Sequence, residues 1–188
     1  MPRAGLDPHA VIQSAAELAD QHGLENLTLA MLAQKLGIRT PSLYNHVNGL
    51  PDLRRNLTIH GMNRLRDALT RAATGKSGDE AMRAMAEAYL AFARERPGLY
   101  EATQRQIDRQ DAEMVQAAEG VIEPVLRVLE SYGLEDEAAI HTVRGFRSLL
   151  HGFASIERQG GFGMALDLDE SFQLLVDIFL KGIQSLKR

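Results

Sequence analysis

Cysteine is absent from the 188 residues, which removes disulfide frameworks, thiolate metal sites and cysteine nucleophiles together. No stretch approaches the roughly 20 uninterrupted apolar residues that a membrane span needs. The opening Met1-Pro2-Arg3-Ala4-Gly5 leads into polar-interrupted sequence, so no signal peptide is expected. These two absences predict a soluble, cytoplasmic chain with no membrane partner. β-Branched alternation is missing as well, which argues against strands. Aromatic residues are few, and all but Tyr44 lie at or beyond Tyr89. There is no internal repeat and no low-complexity tract, while a hydrophobic fraction of 45% is ample for a buried core.

Signatures of catalysis are lacking too. No histidine follows a glutamate by three residues, and neither His-x-x-x-His nor His-Glu-x-x-His occurs, so the carboxylate–histidine sets of helical di-metal enzymes have no footing. A Gly-x-Ser-x-Gly elbow and a phosphate-binding P-loop are also absent. The chain is expected not to be an enzyme, with no cofactor and no metal site. The net charge of −4 is unevenly spread: residues 1–75 carry eight Lys/Arg against six Asp/Glu, and residues 76–188 thirteen against nineteen. A mildly basic first part beside an acidic remainder permits, without establishing, a nucleic-acid-binding face.

What is present reads as helix from end to end, because Ala, Leu, Glu, Gln and Arg recur at helical spacing. Asp7-Pro8 caps and opens a first helix, whose Val11, Ile12, Ala15, Ala16 and Ala19 share a face and which Gly23 ends. A second starts at Thr28, with Leu27 and Leu32 placed as a staple across the cap, and ends at Gly37. A third opens at Thr40-Pro41, with Thr40 as cap, and runs to about His46. A long helix covers Pro51 to Ala73, and Gly75-Lys76-Ser77-Gly78 is linker-like. Further helices are expected over Asp79–Arg96, where Pro97-Gly98 breaks the chain, then Leu99–Gln104, Arg109–Tyr132 with a kink at Gly120 and Pro124, Glu135–Gln159 and Asp169–Leu186.

Three short helices with a Gly-centred turn, Leu36-Gly37-Ile38-Arg39, between the second and third match a helix-turn-helix. With Leu43 and Val47 turned inward, Thr40, Pro41, Tyr44, Asn45 and His46 are exposed, a set of small donors and acceptors suited to a major groove and its phosphates. Taken alone, the same geometry also describes an ordinary trihelical subdomain.

Residues 11–53 resemble the DNA-binding domain of the TetR family of bacterial regulators. The resemblance rests on Ala15-Ala16, Gly23-Leu24-Glu25-Asn26-Leu27-Thr28, Leu32-Ala33, Leu36-Gly37-Ile38 and above all the run Ser42-Leu43-Tyr44-Asn45-His46-Val47. It implies phosphate contacts from Thr28, Tyr44 and His46 and places Arg39, Thr40, Pro41 and Asn45 nearest the base edges, with Ser42 in the same run. The family's usual lysine at the start of the fourth helix is replaced here by Leu50 before Pro51; Arg54 and Arg55 one turn on are the candidates to take its place.

Gly145–Phe162, with Leu150-His151-Gly152 at its centre, resembles a TetR subgroup whose C-terminal domain carries a Trp-His-Gly type motif, here without the tryptophan. The expected architecture is therefore all-α, with a DNA-binding domain over 1–50 and a larger ligand-binding and dimerisation domain over 51–188. The last helix is apolar too widely for one packing partner: Phe172, Leu175, Val176, Phe179, Ile183 and Leu186 share a face, and Leu174 and Ile178 lie elsewhere. Pairing the last two helices of two copies through Phe153, Leu174, Leu175, Ile178 and Phe179 would give a homodimer; a wholly internal last helix is the alternative.

Arg144, Arg147, Ser148, His151, Ser155 and Arg158 form a polar stripe. It is either a solvated face or, at Arg147 and His151, the edge of a pocket for an anionic or acceptor-bearing effector. If the pocket follows the family, Met62, Met85, Tyr89, Phe92, Tyr100 and Met114 line it; as plain core residues they are explained equally well. The expected partners are double-stranded DNA at a palindromic operator, a second copy of the chain and an unidentified small molecule.

Overall fold

The structure, a computed structural model, describes residues 7–185. Leu186, and the residues 1–5 from which the absence of a signal peptide was read, lie outside the described residues. Among the described residues the fold is all-helical. Its helices are α1 (Pro8–His22), α2 (Leu29–Lys35), α3 (Thr40–Leu43), α4 (Leu50–Ala73), α5 (Gly78–Glu95), α6 (Pro97–Thr103), α7 (Ala112–Glu130), α8 (Asp136–Arg158) and α9 (Leu168–Ser185). None of them is long and apolar enough to cross a membrane.

Local signals set most boundaries. The Asp7 carboxylate accepts from the His9 amide at 3.0 Å, with Pro8 in the first turn of α1. Gly23, at φ 85°, ends that helix in a conformation side chains rarely adopt. Three expectations are corrected. The cap of α3 is Arg39, extended at φ −82° and ψ 145°, and Thr40 is already helical; proline is tolerated one position further in because that amide also has no acceptor inside the helix. Pro97-Gly98 separates α5 from α6 but belongs to the first turn of α6. Finally, α7 begins at Ala112 rather than Arg109, with Asp111 accepting from the Met114 amide at 3.2 Å, and its helical span includes Gly120 and Pro124.

The chain divides into two compact units, one of residues 1–64 with 96–118 and the other of residues 65–95 with 119–188. In the first, α1 packs on α2 and α6, and α2 on α3. Its core includes Val11, Ala15, Leu24, Leu27, Leu32, Leu43, Leu53, Leu57 and Leu99, all buried; each such leucine contributes about 1.5–3 kcal/mol. Gly98 lets α6 touch α1: a β-carbon there would sit 2.1 Å from the Ala19 carbonyl. Beside that contact the Asp20 carboxylate accepts from the Leu99 amide at 2.9 Å and from Arg96 Nε at 2.5 Å. Because α6 has no cap from its own side chains, a residue of α1 caps it across the contact.

In the second unit α5 packs on α8 and α9, and α8 on α9. Phe146 stacks on Phe179 with ring centroids 5.6 Å apart, and Phe153 lies against Phe162 and Phe172. The Tyr132 hydroxyl donates to Asp79 at 2.6 Å, and burial is the main cause raising its pKa.

His60, on the first-unit part of α4, is half-buried with Nε2 lacking a hydrogen-bond partner, and His9 meets its ring edge-on. Burial first, then the charges of Arg64, His9 and Arg96, depress its pKa.

Two outcomes follow from this packing. Gly98→Ala should lower the urea unfolding free energy by about 2 kcal/mol or more, the scale of an overpacked core, with unchanged stability contradicting the α1–α6 contact. Because folded His60 holds fewer protons than the unfolded chain, stability should fall as pH drops below the unfolded value of about 6.5. His60→Gln should flatten that acid limb in denaturation curves taken between about pH 5 and 7; a limb of unchanged slope would contradict the assignment.

Candidate nucleic-acid interface

The Thr28 hydroxyl accepts from the Met31 amide at 3.2 Å and so starts α2, while Leu27 and Leu32, both buried, close the expected staple. At the other end Gly37, at φ 66°, donates to Gln34 at 3.1 Å, and Ile38 donates to Ala33 at 3.0 Å. That pair of bonds is a Schellman stop, which needs a left-handed residue where glycine stands. The chain reverses there and Arg39 leads it into α3.

Regular α-helix lasts only from Thr40 to Leu43, but the turn continues through three-residue bonds from the amides of Tyr44, Asn45 and His46 to Pro41, Ser42 and Leu43. The Val47 amide bonds back to Leu43 at 2.9 Å, and both side chains stay inward, 0% and 2% exposed. Arg39, Pro41, Ser42, Tyr44 and Asn45 face outward, with Tyr44 at 58%, and Thr40 and His46 are half-buried. Of the set expected outward from sequence, Pro41, Tyr44 and Asn45 are exposed and Thr40 and His46 are not fully so; all five lie on one short segment, with Thr28 exposed at the cap of α2.

The charge of this region carries a signal that summing residues 1–75 conceals. No aspartate or glutamate occurs between Glu25 and Asp52, while Lys35 and Arg39 do. Lys35 pairs with Glu17 at 2.9 Å, and Arg39 is exposed at the turn. A surface cleared of carboxylates suits a polyanion.

Arg54 and Arg55 are not arranged as replacements for the family's lysine. Arg54 donates to the Glu25 carbonyl at 3.0 Å and pairs with its carboxylate at 3.1 Å. Arg55 Nε is bonded to Asp111, and Nη2 reaches Asp111 at 2.7 Å and Glu113 at 2.9 Å. These bonds hold the Asp111 carboxyl down at about 2 and raise the guanidinium pKa. Pairings this far apart in sequence leave no local pattern to read.

A family described as tetracyclin repressor-like, C-terminal domain, matches residues 82–179, a segment that contains Leu150-His151-Gly152. The HTH-type transcriptional regulator YobS of Bacillus subtilis is 39% identical over 183 residues, 97% of this chain and 95% of that protein. The chain belongs to the TetR family. It is a helix-turn-helix transcription regulator by that membership. Solved structures share the fold at lower identity. One is a protein from Rhodococcus sp. RHA1, with TM-score 0.81 and 21% identity over 96% of this chain and 97% of that one. Another is the Q116A variant of TetR from Acinetobacter baumannii AYE in complex with minocycline, with TM-score 0.72 and 22% identity over 97% and 99%.

The effector residues named from the sequence of this TetR-family chain fall in both units. Met62, Tyr100 and Met114 are buried in the first, and Met114 borders a cavity there. Met85, Tyr89 and Phe92 are buried in the second. On α8, Arg147 is exposed and His151 is half-buried one turn further on. Burial, then the charges of Arg147 and Arg158, lower the His151 pKa and favour its neutral form. Of the residues named for dimerisation, Leu174 and Ile178 are 62% and 60% exposed, and Leu175 and Phe179 are half-buried. Phe153 differs: at 5% exposed and packed on Phe162 and Phe172, it lies beneath the surface of its own unit.

Proposed function

We propose that this regulator is a ligand-responsive homodimeric repressor that binds a palindromic operator. The observation that carries the reading is the outward face of α3 and its turn: Arg39, Pro41, Ser42, Tyr44 and Asn45 project while Leu43 and Val47 anchor them. Tyr44, His46 and the start of α2 at Thr28 grip phosphates, and Arg39, Thr40, Pro41 and Asn45 lie along the base edges. In the functional division, residues 1–50 read DNA and residues 51–188 dimerise and bind the effector.

Exposed Leu174 and Ile178 on α9, with Ile140 and Ile156 on α8, support pairing of these helices between two copies. Two readers one DNA turn apart then recognise an inverted repeat. The minocycline complex of the Acinetobacter TetR supports a small-molecule effector for this chain; its candidate contacts are Met62, Tyr100 and Met114 of the first unit and Met85, Tyr89, Phe92, Arg147 and His151 of the second. The effector moves α4 and thereby the readers, and it must bind the form that does not hold DNA more tightly, because only differential affinity shifts the equilibrium.

The test is selection of bound duplexes from a random library by the purified protein at fixed salt. One inverted-repeat site should emerge, with half-sites about one helical turn apart. Tyr44→Phe should then weaken binding to every retained duplex alike, and Asn45→Ala should change the preferred base at one position in each half-site. Failure of a folded, dimeric protein to enrich any site, or wild-type binding by both variants, would contradict the reading.

A further inference from the structure

Within the first unit a cavity of about 320 Å³ opens at the start of α4, with Leu50, Pro51, Arg54, Arg55, Arg105 and Gln106 in its wall. Arg54, Arg55, Arg105 and the Gln106 carboxamide lie in that wall beside the first turn of a 24-residue helix, and each arginine is paired with a carboxylate. The arginines are not equally committed. Arg55 is saturated by Asp111 and Glu113. Arg54 and Arg105 instead share one carboxylate, that of Glu25, at 3.1 and 2.9 Å. The Glu25 side chain is 62% exposed, so water screens both pairs and they hold weakly. Arg54 Nε, meanwhile, is buried with no hydrogen-bond partner. An external oxyanion reaching Arg54 and Arg105 from the cavity competes with that shared carboxylate.

We propose that this cavity binds a small molecule with a phosphate or carboxylate head group, and that the head group displaces Glu25 from Arg54 and Arg105. The volume exceeds that of a bare oxyanion, so the ligand carries a few further atoms. Glu25 lies three residues before Thr28, the cap of α2. Releasing it frees the approach to the reader, a consequence that rests on the DNA-reading proposal; the binding itself does not.

The same chemistry has two sources, a free anion or a backbone phosphate of bound DNA, and the experiment separates them. Inorganic phosphate and pyrophosphate are titrated into DNA-free protein at constant ionic strength, with calorimetry and melting temperature as readouts. Saturable binding is expected. Arg105→Gln should weaken it about tenfold, the loss of one charge-assisted hydrogen bond, and Arg127→Gln, on α7 in the other unit, should leave it unchanged. Glu25→Gln should tighten binding several-fold, because it removes the internal competitor. That gain also serves if Arg105→Gln fails to fold. No saturable binding, equal binding by Arg105→Gln and wild type, or weaker binding by Glu25→Gln overturns the proposal. If the free anions do not bind but Arg105→Gln lowers the salt slope of duplex binding by about one, the oxyanion is a DNA phosphate and the small-molecule proposal is wrong.

Discussion

A glycine at position 98 lets the backbone of α6 lie against that of α1 at Ala19, and any β-carbon there forces one helix to move. The contact is reinforced by Asp20, which caps α6 from the neighbouring helix and holds Arg96. With α6 fixed on α1, the residues after α6 reach the start of α4: Arg105 pairs with Glu25, and Asp111 and Glu113 pair with Arg55. The three reading helices are thus tied to a segment about 80 residues later in the chain by backbone contact and charge, in addition to their own small core.

Within that core the division of labour is simple. Leu27, Leu32, Leu43 and Val47 are buried and set the path of the backbone. Among the residues between them, Thr28, Arg39, Pro41, Ser42, Tyr44 and Asn45 are exposed and available for contact. The segment holds one exposed tyrosine, small polar groups and an arginine, with no carboxylate from Asn26 to Pro51. Such a surface gains from a polyanion twice over, through the charge of Arg39 and through the absence of repulsion.

The parts legible in the sequence are those set by near neighbours. Asp7-Pro8, Thr28, Gly23 and Gly37 announce helix ends because caps and left-handed turns act within four residues. The inward position of Leu43 and Val47 follows from their spacing of four. Most of the misreadings depend on partners distant in sequence. Pro97-Gly98 carries the composition of a break, yet α1 supplies the missing cap and the glycine serves a contact rather than a turn. Arg54 and Arg55 look available for DNA until Glu25, Asp111 and Glu113 are placed beside them. Phe153, named for the dimer face, is packed against Phe162 and Phe172 of its own unit. Thr40 fits a cap chemically, and the helix begins one residue earlier because Pro41 is as comfortable in the second position as in the first.

The central claim is that the surface from Thr28 to His46 seats on DNA, and hydrogen exchange of the protein with and without its selected duplex tests it most directly. The account predicts slowed exchange at the exposed amides that open α2 and through residues 39–46 when the selected duplex is added, with little change for a duplex of scrambled sequence at the same salt. Tight binding of the selected duplex with protection elsewhere, and with these segments exchanging as in the free protein, would contradict it.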